Sequence, residues 1–130
     1  VVFCTGQFPE LASTVPLILP GDVLTYNVAA IAKGQIVGVL VPEKEQIPGT
    51  KTKLRKFGII PYVEAASPFG SKDFIGEACE KLMRFNPELI VMDCTSYDDE
   101  MKEIAREVSG KPVIAAQSIL AKVISELAGK

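Results

Sequence analysis

The chain has 130 residues, 48% of them hydrophobic, and a formal net charge of -2. That length and apolar content describe one domain with a core of its own, which excludes a disordered chain. The charge balance excludes a nucleic-acid partner, which needs many cations against phosphates, and no apolar run approaches the roughly 18 residues of a membrane span.

In chain order, Val1–Cys4 reads as a short buried strand with a turn at Thr5-Gly6. Phe8–Pro20 carries Pro9, Pro16 and Pro20 and reads as irregular. Asp22–Ala32 reads as a helix with a stripe of Val23, Leu24, Tyr26, Val28 and Ile31, closed by Gly34. Ile36–Val41 is continuously apolar and β-branched, the signature of a fully buried parallel strand, and Pro42 ends it. A helix is expected from about Thr50 to Phe57, where Lys51, Lys53, Arg55 and Lys56 read as a solvated basic face balanced by Glu43 and Glu45.

Ile59–Glu64 is the next strand, and Pro61 inside it suggests an edge position or an early break. After the Ser67–Gly70 loop, Ser71 caps a helix to Phe85 with Phe74, Ile75, Ala78, Cys79, Leu82 and Met83 as its buried stripe. Leu89–Asp93 is a strand, Asp98 caps a helix through Val108, and Gly110 stops it. Pro112–Ala115 and Gln117–Leu127 read as a last strand and helix. Strands alternating with helices specify an α/β, Rossmann-like fold. The expected form is an open, mostly parallel, doubly wound three-layer α/β/α sheet of about five strands, as a single domain over residues 1–130. Val1 already lies inside an apolar run, so the chain reads as a fragment or a processed product.

In such sheets ligands bind at the carboxyl ends of the strands. There is no histidine, which excludes Ser-His-Asp and Cys-His catalysis and histidine-ligated zinc within this chain. The cysteines Cys4, Cys79 and Cys94 are odd in number and lack CxxC spacing, so neither a disulfide framework nor a metal site is expected. With no signal peptide in view, the free thiols fit a cytoplasmic protein.

Proton transfer then falls to Cys, Asp, Glu, Lys or Tyr. The run Leu89–Tyr97 delivers Cys94 to a strand end before a helix N-terminus, where the field favours a thiolate. The hydroxyls and amides of Thr95 and Ser96 suit a carboxylate. Cys4-Thr5-Gly6 repeats the arrangement, with Gly6 permitting close approach, and Ser67 stands at a further strand end. Each of the two strand-end thiols also admits a plain core role, since free cysteine is among the most buried residues. Cys79 belongs to a helix's buried face and is assigned to the core. Asp98, Asp99 and Glu100 read as a helix start favoured by the macrodipole.

The apolar run ending in Cys94-Thr95 resembles the second-cysteine signature of the aspartate/glutamate/hydantoin racemase superfamily, and Cys4 resembles its first cysteine. Three stretches look most like AroM proteins: Cys4-Thr-Gly-Gln-Phe-Pro-Glu10, Val37-Gly-Val-Leu-Val-Pro42 and Gly110-Lys-Pro-Val113. The resemblance implies a cofactor-independent, two-cysteine racemase or isomerase acting on a small carboxylate. Cys4 and Cys94 would be an acid/base pair with sulfurs about 6–7 Å apart across the reacting carbon. Thr5, Gly6, Ser67, Thr95 and Ser96 would bind the substrate.

Relative to the amino-acid racemases, Thr5-Gly6 replaces Asn-Thr, Asp93 replaces a small residue, and Ser96 replaces an acid or histidine. These departures keep open a non-catalytic carboxylate-binding or regulatory domain. The resemblance also makes the chain the C-terminal portion of a two-domain protein. Residues 1–20 would then be a remnant of the preceding domain, and that missing domain or a second copy of the chain would be the expected partner.

Overall fold

The computed structural model describes residues 13–130. Its elements are α1 (Pro20–Ala32), β1 (Ile36–Val41), α2 (Ile47–Arg55), β2 (Ile60–Ala65), α3 (Asp73–Met83), β3 (Leu89–Met92), α4 (Asp99–Ser109), β4 (Val113–Ala115) and α5 (Ala116–Leu127). The four strands are parallel in the order β2-β1-β3-β4. The expected first strand, Val1–Cys4, lies outside the described residues.

The interior strands β1 and β3 are apolar on both faces because helices cover both. Val37, Val39 and Val41 of β1 join Leu89 and Val91 of β3 in a cluster with Leu24 and Val28 of α1 and Leu54 of α2. Leu40, Ile90 and Met92 face the other way, into Ile75, Cys79 and Leu82 of α3 and Met101 and Ala105 of α4. The period-two alternation of a strand thus divides one run of aliphatic residues between two cores, and the result is a three-layer α/β/α fold.

The helix ends have local causes. Pro20 opens α1, where its missing N–H is no loss. A short 3-10 turn over Lys44–Gln46 precedes α2, held by a reciprocal cap in which the Glu43 amide donates to Gln46 Oε1 at 3.0 Å. With Pro48 in its first turn, α2 therefore starts at Ile47, ahead of the expected Thr50. Asp98 Oδ1 accepts the Met101 amide at 2.9 Å to cap α4, and Gly110 ends it in the left-handed conformation at φ 65°. Pro61 does lie on an edge strand.

Two apolar stripes are narrower than their sequences suggest. Tyr26 and Ile31 of α1 are exposed, because only Leu24, Thr25, Val28 and Ala32 turn inward. Phe74 is exposed at the first turn of α3, ahead of the stretch that covers the sheet, and Met83 is half-buried.

At Gly38 the absence of a side chain lets Leu82 of α3 and Ile90 of β3 close over the strand. A Cβ there would stand 2.9 Å from Ile90 Cδ1 and 3.3 Å from Leu82 Cδ1, both fully buried side chains with little room to yield. Gly38→Ala is expected to destabilise the fold by about 1–3 kcal/mol through overpacking. Urea unfolding checks this, and an unchanged midpoint would contradict the packing described.

Candidate functional site

The chain leaves β1 for β2 through α2 on one face of the sheet, then passes from β2 to β3 through α3 on the other. Its direction of travel therefore reverses between the neighbouring strands β1 and β3. At such a switch point the two following loops part and leave a crevice above the strand ends. Here the crevice lies between Pro42-Glu43 after β1 and Asp93–Ser96 after β3. Backbone bonds carry the ladder one residue past the strands, from Asp93 N to Leu40 O at 2.9 Å and from Ala66 N to Val41 O at 2.8 Å. All three loops consequently start at a common level.

Asp93 and Cys94 depart toward different layers. The Asp93 carboxylate is buried and meets the Lys53 ammonium of α2 at 3.6 Å. Lys53 is accordingly largely covered, its side chain 21% exposed, where the sequence suggested a solvated basic face. A partly exposed lysine can reach a buried acid because its long aliphatic stem lies along apolar surface.

Cys94 instead packs, half-buried, against the α3/α4 cluster. Its sulfur accepts the Ser96 amide at 3.4 Å, so the donor that orients the thiol comes from the turn itself. The cap of α4 is a separate contact, in which Asp98 accepts the Met101 amide.

Ser96 is exposed and Thr95 half-buried. The Thr95 carbonyl accepts a bond from Gln117 Nε2 at 3.1 Å, which ties the loop to the first turn of α5. Ser67 is exposed after β2, and its hydroxyl accepts the Phe69 amide at 3.1 Å. The structure thus sets Ser67, Cys94, Thr95 and Ser96 at the carboxyl end of the sheet. Cys4, Thr5 and Gly6 lie outside the described residues, and the Cys4–Cys94 separation with them.

Tyr97 organises this region. Its side chain is fully buried, and its hydroxyl donates to the Ala66 carbonyl at 2.6 Å. Burial, and then the neighbouring Cys94, Asp93 and Cys79, push its ionisation upward, so the phenol remains a donor. On the far side of the loop, Lys102 of α4 donates to Ser118 of α5 at 2.9 Å, its own pKa lowered first by burial and then by Arg106 and Lys122.

Lys53, Tyr97 and Gln117 are the residues that sequence reasoning did not assign to the site. Tyr97 closes the Cys94 motif and Gln117 starts the last helix, so both were within view. Lys53 had no local signal, because its partner comes from another element. Among the described residues, no group of three or more His, Cys, Asp or Glu is placed to hold a metal ion. Among them, too, no helix is long and apolar enough to cross a membrane.

Comparison with known proteins gives one family match. The model of the family described as AroM protein matches residues 1–128. No curated protein matches. A solved structure titled "Complex structure of VinN with L-aspartate" is similar at 18% identity and a TM-score of 0.47, covering 80% of this chain and 27% of that one.

Two outcomes are expected of the site's chemistry. Tyr97→Phe removes the donor to a buried carbonyl and should lower stability by about 1–3 kcal/mol in urea titration; an unaltered stability would mean the bond does not hold the loops. Burial pushes the Cys79 thiol up to about 11, whereas Cys94 is partly accessible. Iodoacetamide with peptide mapping should therefore modify Cys94 in the native protein and Cys79 only after denaturation. Equal labelling of both would show that Cys79 is not enclosed as described.

Proposed function

The chain belongs to the AroM family, and from that premise we propose that it catalyses cofactor-independent proton transfer at the carbon next to a carboxylate, with Cys94 as a catalytic thiol. The observation that carries this reading is the position of Cys94: a partly accessible sulfur, oriented by the Ser96 amide, at the carboxyl end of β3 beside the switch point.

In the proposed reaction the Cys94 thiolate takes the proton from the α-carbon. The C–H bond breaks, an S–H bond forms, and the electron pair passes into the carboxylate as an enediolate. The thiol of Cys4, on the opposite face, returns a proton to that carbon and becomes the thiolate. Thr5, Gly6, Ser67, Thr95 and Ser96 hold the carboxylate and the charge that develops on it, as preorganised donors do in other enolising sites. Thiols suit the task because their ordinary pKa of about 8.5 lies close enough to neutrality for exchange in either direction.

The Lys53–Asp93 pair favours a second reading. A lysine held beside the loop by a buried acid, its charge balanced by that acid, can still donate hydrogen bonds to a carboxylate without any proton transfer. In that case the domain binds a small carboxylate and regulates or presents it.

One experiment separates the two. The protein is incubated in deuterated buffer with a panel of small 2-substituted carboxylates, and loss of the α-proton signal is followed by NMR. Wild type should exchange the α-proton of at least one of them, and Cys94→Ala and Cys4→Ala should each slow exchange by about a hundredfold or more, the ordinary contribution of a general acid or base. Undiminished exchange in Cys94→Ala would overturn the catalytic reading. Binding of a carboxylate with no exchange in wild type would select the second.

A further inference from the structure

The loop after β3 borders a cavity of about 260 Å³, lined by Thr95, Gln117, Leu120, Ala121 and Ile124. The last four stand at i, i+3, i+4 and i+7 of α5 and so form one helix face. A stripe of this spacing ordinarily fills a core. Here Leu120 is buried and Ile124 half-buried, yet the space in front of them is open and Ala121 leaves room on its outer side.

The cavity is anchored to the candidate site. Thr95 directly follows Cys94, and the bond from Gln117 Nε2 to the Thr95 carbonyl fixes the first turn of α5 against that loop. Its polar groups, Thr95 and Gln117, belong to the end nearest the thiol in the chain, and its aliphatic wall continues along α5. None of the five lining residues is charged. A second carboxylate entering it would lose hydration without gaining an ion pair, which is costly. An alkyl or aryl group would lose only unfavourable contact with water. The size suits such a group, since a cavity of about 150 Å³ already admits benzene.

Resting on the reading of Cys94 as a site for a small carboxylate, we propose that this cavity receives the substrate's side chain. The ligand class is accordingly a monocarboxylate carrying a branched aliphatic or aryl substituent, as opposed to a dicarboxylate of the aspartate or glutamate type. Thr95 and Gln117 mark where the polar head gives way to the apolar tail.

The test uses the full chain and three probes, 4-methylpentanoate, acetate and succinate, with affinities from ligand-observed NMR. Wild type should bind 4-methylpentanoate at least about tenfold more tightly than either of the others, because each methylene accommodated in an apolar pocket is worth about tenfold or more. Ala121→Phe, at an exposed helix position, fills the cavity from outside; it should erase that preference, bringing the affinity for 4-methylpentanoate down to that for acetate. Ala121→Ser, too small to fill it, should keep the preference and guards against a general loss of folding in the larger variant.

Succinate binding as tightly as 4-methylpentanoate, or a preference unaffected by Ala121→Phe, would overturn the proposal. The catalytic reading fails separately. If 4-methylpentanoate binds with the expected preference but no carboxylate exchanges its α-proton, the cavity assignment stands and Cys94 is not an acid/base. If exchange occurs with no preference for an apolar tail, the thiol assignment stands and the cavity is not the side-chain pocket.

Discussion

The Tyr97 hydroxyl donates to the Ala66 carbonyl from one side of β1 to the other, since β2 and β3 flank that strand. Both partners are buried, so water offers no substitute for either. A donor and acceptor enclosed in this way cost far more when separated than their bond contributes when formed. The loops after β2 and β3 are thereby held to one geometry on the α3/α4 side of the sheet, next to the switch point between β1 and β3. Ser67 and Cys94 are each only a residue or a few residues from that bond, and their placement depends on it.

The same strand end serves two layers. Leu89 and Val91 face the α1/α2 side and Ile90 and Met92 the α3/α4 side, and Asp93 and Cys94 continue the alternation beyond the ladder. Asp93 turns to Lys53 of α2, and Cys94 packs against the layer that contains α3 and α4. The two side chains thus occupy different layers although they are adjacent in sequence. Asp93 therefore acts on the site by holding Lys53 near the loop and leaves the thiol's immediate surroundings to the Ser96 amide.

The parts of this arrangement that were legible in the sequence are those determined locally. Ile36–Val41 has the pattern of an interior strand, Pro61 points to an edge or an early break and lies on an edge, and Asp98 with Gly110 bracket α4 by cap chemistry alone. The start of α2 was missed because Glu43 and Gln46 cap each other across a 3-10 turn, and neither residue signals that singly. The stripe of α3 was drawn too wide because periodicity shows which residues share a face but not where the sheet beneath them stops. Lys53 was read as solvated for a related reason. Its neighbours Arg55 and Lys56 are exposed, whereas the packing of α2 against the sheet leaves Lys51 and Lys53 half-buried, and Lys53 alone of the run is paired with Asp93. The placement of Cys94 at a strand end was legible, while the buried bond of Tyr97 required the tertiary contact with Ala66.

Two cysteines of identical chemistry show what the fold adds. Cys79 lies in the middle of α3, where every direction from its sulfur meets the interior, and burial holds it neutral. Cys94 is built on the end of a strand, at the one level where the helices on either face have already turned away. Connection through α2 on one side and α3 on the other is what clears that space. Had both connections run over the same face, the reversal between β1 and β3 would vanish, and Cys94 would face a continuous layer of helices. Its partial exposure is thus a property of the order β2-β1-β3-β4 more than of the Cys-Thr pair itself. The pair stands at a position that the topology has left open, and the cavity along α5 begins one residue further on, at Thr95.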